Sequence, residues 1–300
     1  MERHMDWKSH RIETLLEQAL IEDKAASDAT TNLTIDPDLR ASGSIVARQE
    51  MVVAGLGCVA QFLEIYAKLD PRPQAHNRFE VISHPEIFDG VRVHAGQVLA
   101  RVRHNARVLL SCERVMLNLM QHMSGIATNT RRFVDAVQGT HARVLDTRKT
   151  VPGMRALEKY AVLCGGGTNH RLDLASGILI KNNHIALGGG LRPVLTNALA
   201  RRQSGQRVQV EVRTMNELEE AIECGAEAVL LDNMTPEAVK ACVERVKKES
   251  RWIPTEASGG IVLENVRSFA ETGVDFISVG ALTHSAKAAD ISMTIIAESR

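Results

Sequence analysis

Hydrophobic positions follow two different periods in the first part of the chain. Helical spacing occurs around Ile12–Ala19 and across Cys112–Val137, which predicts a short amphipathic helix and then one or two long helices. Between these regions, Ser44–Ala47 and Gly90–Val102 resemble short strands, and the second of them turns at Gly96–Gln97. Short strands separated by glycine turns predict an antiparallel sheet.

From Arg143 onwards, short apolar runs alternate with amphipathic helical patterns. The apolar runs are Val144–Leu145, Ile178–Ile180, Val208–Val212, Val229–Leu231, Ile253–Ala257 and Phe276–Val279. The helical patterns include Met215–Cys224, Pro236–Lys248 and Leu263–Thr272. Thr235 directly precedes Pro236, which is a favourable start for a helix. This alternation predicts parallel βα units, and an incomplete barrel fits them better than a Rossmann sheet.

Polar or glycine residues follow each predicted strand of this second region. They are Asp146–Lys149, Lys181–His184, Glu211 with Arg213, Asp232–Asn233, Ser258–Gly260 and Gly280–Ala281. In a parallel barrel, the carboxyl ends of the strands meet at the face where such enzymes carry out their chemistry. Any one polar strand end could be an ordinary loop, but the whole series favours a functional site.

Alternation within Val208–Val212 refines this prediction. Gln209, Glu211 and Arg213 share one face of the strand, because side chains alternate between the two faces. If that face lies inside the barrel near its mouth, the polar groups point at a ligand. If it faced the helices, they would be costly buried charges.

Two kinds of residue in the second region are suited to anions. The turns at Ser258–Gly260 and Gly280 each precede a helical pattern, where backbone N–H groups can cradle phosphate. The candidate cationic residues are Arg114, Arg148, Lys149, His170, Arg171 and Lys181. A ligand with two carboxylates would suit such a set, since arginine pairs with a carboxylate in a bidentate manner.

Glu211 and Asp232 are candidate partners for Mg²⁺ or for ribose hydroxyl groups. Magnesium usually takes few protein carboxylates and completes its coordination with phosphates and water. The histidines show no zinc-binding spacing such as His-Glu-x-x-His.

Composition excludes some classes of protein. Lys plus Arg and Asp plus Glu both total 36, so no net field would attract nucleic acid or an anionic membrane. An aromatic content of 3% argues against base-stacking platforms. The 5 cysteines form no Cys-x-x-Cys pair, which favours reduced thiols in a cytoplasmic protein. No apolar run approaches the length of a membrane helix, so we expect a soluble protein.

Several strings of residues together resemble the quinolinate phosphoribosyltransferase family, in order along nearly the whole chain. They are Glu113–Asn118, Asp146–Gly153, Gly165–Arg171, Lys181–Ile185, Glu211–Val212, Leu231–Asn233, Ala257–Ile261 and Val279–Ser285. The resemblance implies an α/β protein with an N-terminal α/β sandwich domain, 1–118, and an incomplete (open) α/β barrel, 119–284. A C-terminal tail, 285–300, would pack towards the N-terminal domain.

The resemblance also implies a homodimer with shared active sites, and it leaves a higher oligomer open. The implied reaction joins quinolinate to phosphoribosyl pyrophosphate with Mg²⁺ and gives nicotinate mononucleotide, pyrophosphate and CO₂ for NAD biosynthesis. Mg²⁺ would be held mainly through the substrate pyrophosphate, near Glu211 and Asp232.

The residue roles implied by the resemblance fall into three groups. Arg114, Arg148, Lys149, His170 and Arg171 would hold quinolinate, with Arg114 reaching across the dimer. Lys181 would lie near the pyrophosphate and the substrate, and Glu211 and Asp232 near the ribose hydroxyls. The 5-phosphate would be held by Ser258, Gly259, Gly260, Gly280 and Ala281. Lys149, Lys181, Glu211 and Asp232 are the expected catalytic residues.

Three alternatives stay open at this point. A related enzyme could use nicotinate instead of quinolinate, although the large cationic set speaks against it. A homologue associated with molybdenum transport loci shares the fold and need not share the role. A catalytically silent ligand-binding homologue is the third, and the intact Lys181, Glu211 and Asp232 argue against it.

Overall fold

A computed structural model of the chain describes residues 5–70 and 78–298. They form two compact units. The first comprises the described parts of Met1–Asn129, Ala156–Gly166 and Ala286–Arg300, and the second comprises Thr130–Arg155 and Gly167–Ser285. The division predicted between residues 118 and 119 falls inside the helix Ala106–Ala136.

The helices and strands follow one another along the chain as two series. Up to residue 136 they are α1 (His10–Glu22), a 3₁₀ turn (Ala25–Ser27), α2 (Ala29–Thr34), β1 (Arg40–Ala47), β2 (Met51–Val52), α3 (Gly57–Leu69), β3 (Glu80–Ile82), β4 (Arg92–Val93), β5 (Val98–Asn105) and α4 (Ala106–Ala136). Then follow β6 (Arg143–Leu145), α5 (Arg155–Cys164), β7 (Ile178–Ile180), α6 (Asn182–Leu187), α7 (Leu191–Arg201), β8 (Val208–Val212), α8 (Met215–Glu223), β9 (Ala228–Asp232), α9 (Pro236–Val246), β10 (Thr255–Ser258), α10 (Val266–Ala270), β11 (Phe276–Ser278), α11 (Ala281–His284) and β12 (Ile291–Ala297).

The first unit is built around the predicted antiparallel sheet, with strand order β12-β1-β5-β3. Alternate side chains of β1 are buried, as expected for a strand with one face on a core. Gly96 supplies the predicted turn within Gly90–Val102, with φ 88°. However, β4 pairs with β2 and not with β5, so the two halves of that segment do not form a hairpin. Strand β12 lies beside β1, with Ser44 opposite Thr294.

Helix α4 settles whether the apolar stretch Cys112–Val137 forms one helix or two. It is a single helix of 31 residues. Its Gly125 lies against the segment before β12, since a Cβ at that position would lie 2.1 Å from the carbonyl oxygen of Lys287. No helix in the described part of the chain is both long and apolar enough to cross a membrane.

The second unit, which the structure describes in full, contains a parallel sheet with strand order β6-β11-β10-β9-β8-β7. The first strand of this unit, β6, pairs with the last, β11, so the strands follow the order of a barrel that is open between β6 and β7. β6 and β7 are its two edges, and Thr168 forms a single parallel bridge with Leu145 of β6. The predicted incomplete barrel is therefore confirmed.

Some boundaries in this unit differ from the sequence expectation, and side-chain hydrogen bonds explain one of them. Thr235 caps α9 as predicted, because its side chain accepts from the Ala238 amide. Helix α10 begins at Val266 and not near Leu263. The Asn265 side chain accepts from the Val262 amide and donates to the Gly260 carbonyl, which keeps the preceding residues in a turn.

Candidate active site

A cavity of about 610 Å³ opens at the carboxyl ends of the barrel strands. Its lining includes most of the predicted site residues, which are Arg148, Lys149, His170, Arg171, Lys181, Glu211, Asp232, Ser258, Gly259, Gly260, Gly280 and Ala281. Arg114 is not part of this group. It belongs to the first unit, on helix α4, where its side chain is exposed.

One side of the cavity carries two arginines close to each other. Arg148 follows β6, and its Nε atom is buried without a hydrogen-bond partner. Burial and the nearby charge of Arg148 hold the pKa of Arg171 below its ordinary value. The Arg171 side chain is fixed by a hydrogen bond from its Nη1 to the Gly177 carbonyl, 2.8 Å. Two adjacent cations and a buried donor without an acceptor are favourable for an anion with more than one charge.

His170 is held in place by contacts on both its backbone and its ring. Its amide donates to the buried carboxylate of Asp146, 2.8 Å. Its ring Nδ1 accepts from the Arg171 amide, 2.7 Å, and its Nε2 lies 3.4 Å from Glu256 Oε2. The orientation of His170 therefore depends on a neighbouring loop residue and on Glu256 of strand β10.

Glu256 is a cavity residue that sequence reasoning missed. It lies in β10, is 4% exposed, and accepts hydrogen bonds from Gln209 Nε2, 2.8 Å, and from the Ser278 hydroxyl. Burial raises the pKa of this carboxyl, but contact with His170 and the bonds from Ser278 and Gln209 together bring it below its ordinary value. The sequence did contain a signal, because Glu256 is a carboxylate within the apolar run Ile253–Ala257 and a buried charge requires partners.

Of the two positions left open for the polar face of β8, the structure shows the one inside the barrel. Glu211 lines the cavity, and Gln209 reaches Glu256. Glu211 Oε2 is 3.7 Å from Lys181 Nζ, and its Oε1 is 3.4 Å from Arg213 Nη2. The valines between these residues are fully buried on the other face of the strand.

The two glycine turns differ in structure, which corrects one expectation. Gly280 directly precedes α11 and therefore lies at the start of a helix. A turn separates Ser258–Gly260 from α10, so these residues do not lie at a helix start. Gly259 has φ 97°, and a Cβ there would lie 2.3 Å from Asn233 Oδ1. Glycine is therefore required at this position by both conformation and space.

The donor set in the cavity fits magnesium only as a partner of bound phosphates. Among the described residues, no group of three or more His, Cys, Asp or Glu side chains could hold a metal ion. Glu211 and Asp232 supply carboxylate oxygens, but both lie against Arg213. Such a site suits an ion that completes its coordination with substrate oxygens and water.

An open parallel barrel with cations, carboxylates and glycine turns at one mouth defines an enzyme that binds anionic substrates. Comparison with known proteins specifies the family. Residues 28–124 match Quinolinate phosphoribosyl transferase, N-terminal domain, and residues 126–294 match Quinolinate phosphoribosyl transferase, C-terminal domain. The chain belongs to the quinolinate phosphoribosyltransferase family.

Individual relatives cover nearly the whole chain. The nicotinate-nucleotide pyrophosphorylase [carboxylating] of Mycobacterium leprae is 41% identical over 93% of this chain and 95% of its own. The probable nicotinate-nucleotide pyrophosphorylase [carboxylating] of Bacillus subtilis is 40% identical over 95% of this chain and 93% of its own. The structure of NadC from Streptococcus pyogenes superposes with a TM-score of 0.90 at 33% identity, covering 99% of this chain and 100% of that one.

Proposed function

We propose that this protein transfers the phosphoribosyl group of phosphoribosyl pyrophosphate to quinolinate with loss of CO₂, which gives nicotinate mononucleotide and pyrophosphate in NAD biosynthesis. The observation that carries the proposal is the buried Arg148 Nε, which has no partner and lies close to the charged Arg171. Quinolinate has two adjacent carboxylates and can satisfy both guanidinium groups. Nicotinate has only one, so it would leave part of this cationic set unpaired.

Two different groups of cavity residues would hold the two substrates. Arg148, Arg171 and Lys149 would bind the quinolinate carboxylates, and His170 would be kept in position beside them by Glu256. Ser258, Gly259, Gly260, Gly280 and Ala281 would hold the 5-phosphate. Asp232 and Glu211 would face the ribose hydroxyls.

The chemistry follows from these positions. The pyridine nitrogen attacks the anomeric carbon of the ribose as pyrophosphate leaves, and positive charge develops on the sugar. The carboxylates of Glu211 and Asp232 favour that charge, and Lys181 offsets the negative charge of the leaving group. Mg²⁺ bound with the pyrophosphate would supply further charge neutralisation. The bond between the ring and its 2-carboxylate then breaks, and the positively charged ring nitrogen stabilises the electron pair left on the ring carbon. That carbon takes up a proton from water, which gives nicotinate mononucleotide.

The proposal is tested by supplying the purified protein with phosphoribosyl pyrophosphate, Mg²⁺ and either quinolinate or nicotinate. We expect CO₂ and nicotinate mononucleotide in equal amounts from quinolinate, and no product from nicotinate. Turnover of nicotinate alone would show that the substrate assignment is wrong. Quinolinate binding without CO₂ release would instead indicate a ligand-binding homologue. The cytoplasmic location stays a prediction from the cysteine pattern.

A homodimer with shared active sites is part of the proposal, because Arg114 is an exposed cation outside the cavity group. Mixing Arg114→Ala subunits with Lys181→Ala subunits should restore activity if each site takes Arg114 from the partner. Random exchange would restore on the order of one quarter of wild-type activity, since half of the dimers are mixed and each has one intact site. No restoration after verified subunit exchange would remove the shared-site idea.

A further inference from the structure

Arg213 lies between the two carboxylates assigned to the ribose, although it is not itself one of the cavity-lining residues. Its Nη2 atom is 3.0 Å from Asp232 Oδ2 and 3.4 Å from Glu211 Oε1. Its Nε is also 3.2 Å from Asp232 Oδ2. One guanidinium group therefore bridges acidic side chains from two neighbouring strands, β8 and β9.

The position of Arg213 is set by its neighbours along the chain. Its amide donates to Glu217 Oε2, 2.6 Å, at the first turn of α8. The Thr214 side chain caps the same helix by accepting from the Glu217 amide. Since these bonds fix the backbone at the end of β8, the guanidinium has a short, defined reach to Glu211 and Asp232.

Asp232 is held from a second direction as well. Asn233 Nδ2 donates to the same Oδ2 atom, 2.9 Å, that receives Arg213. Asn233 has a left-handed φ of 56° and lies against Gly259, in the turn Ser258–Gly260 that is assigned to the 5-phosphate. Both acidic groups are thus placed before any ligand arrives, and Arg213 offsets their mutual repulsion.

Lys181 lies 3.7 Å from Glu211 and would remain if Arg213 were absent, but the two carboxylates would then exceed the nearby cationic charge by one and would attract a free divalent ion. We propose that Arg213 is a built-in counter-cation, a positioning residue that keeps free divalent metal out of the empty site. Metal then enters together with the pyrophosphate group. This inference rests on the proposed function for the identity of that phosphate ligand. The effect of Arg213 on metal binding can nevertheless be measured without turnover.

The experiment measures Mn²⁺ binding to metal-stripped protein without substrates, by the electron paramagnetic resonance signal of free Mn²⁺. We compare the wild type with Arg213→Gln, Arg213→Lys and the double variant Arg213→Gln/Asp232→Asn. Arg192→Gln is the matched control, because Arg192 pairs with Glu223 at 3.0 Å on an exposed helix surface. Circular dichroism confirms that each variant is folded.

We expect Arg213→Gln to bind Mn²⁺ at least about tenfold more tightly than the wild type. Even in a water-like dielectric, one arginine charge repels a doubly charged ion about 4 Å away by more than the free energy of a tenfold change in affinity. Arg213→Lys, Arg192→Gln and the double variant should bind as weakly as the wild type. Equal Mn²⁺ affinity in the wild type and Arg213→Gln would overturn the inference, as would a gain that survives Asp232→Asn. The proposed function would fail separately, through absent quinolinate turnover in the wild type.

Discussion

Replacing Arg148 by methionine should weaken quinolinate binding while leaving the folded protein equally stable or more stable. The buried Nε has no hydrogen-bond partner, and the charge of Arg148 lies close to Arg171, whose pKa is lowered by burial and by this charge. Methionine keeps an aliphatic stem and removes both the unsatisfied donor and the repulsion. A buried unsatisfied group costs about 1 kcal/mol or more, so the free energy of unfolding should stay constant or rise by roughly that amount.

The effect on binding should have the opposite sign. A carboxylate of bound quinolinate would lose its charged partner in a partly buried site, which typically costs about 2 kcal/mol or more. That corresponds to a rise in the quinolinate Kd of about 30-fold. Phosphoribosyl pyrophosphate should bind to Arg148→Met almost as it does to the wild type, because the residues assigned to its 5-phosphate are Ser258, Gly259, Gly260, Gly280 and Ala281 and do not include Arg148.

Calorimetric titration with each substrate and urea unfolding measure the two effects. Arg192→Met serves as the control, since Arg192 is exposed and pairs with Glu223 on a helix surface. Neither affinity should change in that variant. The reasoning is refuted if Arg148→Met lowers stability while the quinolinate Kd stays the same, or if both substrates lose affinity equally.

Two further predictions concern the rest of the cavity. Gly259→Ala should raise the KM for phosphoribosyl pyrophosphate at least about tenfold, because strain of about 1–3 kcal/mol at φ 97° adds to the clash with Asn233. Gly205→Ala is the control, with φ 84° and open space around a Cβ, so it should leave that KM unchanged; equal effects would contradict the steric argument. Glu256→Gln should flatten the acid dependence of stability. The lowered pKa of Glu256 means that its stabilisation is present above its ordinary value of 4.5 and is lost as pH falls below it. Parallel urea-unfolding profiles for both proteins between pH 5 and pH 3 would count against this role.

The elements and the general position of the site could be predicted because both depend on local patterns. Valines alternating with polar residues along Val208–Val212 require a strand with two different faces, whatever the rest of the chain does. Thr235 followed by Pro236 predicts a helix start from local backbone chemistry, and the cap was found there. Parallel strands also bring their carboxyl ends together, which is why polar strand ends predicted the cavity.

Pairing between distant segments could not be predicted in the same way. Nothing local distinguishes β5 from β2 as the partner of β4, and the tertiary arrangement selected β2. Glu256 gave a weak signal, because its contacts come from Gln209 on β8, Ser278 on β11 and His170 on a loop. Those contacts depend on the order of the strands in the sheet, where β11 is the direct neighbour of β10 and β8 is separated from β10 by β9.

The sequence by itself determined the alternating βα architecture, the cationic and acidic residue types, and the glycine turns, since each follows from a local period or a single backbone requirement. Only the tertiary structure decided that the Nε atom of Arg148 is buried without a hydrogen-bond partner and that Arg213 bridges Glu211 and Asp232. The physical reason is that burial and charge pairing depend on distances between side chains far apart in the chain. Those distances exist only once the strands have taken their order in the barrel.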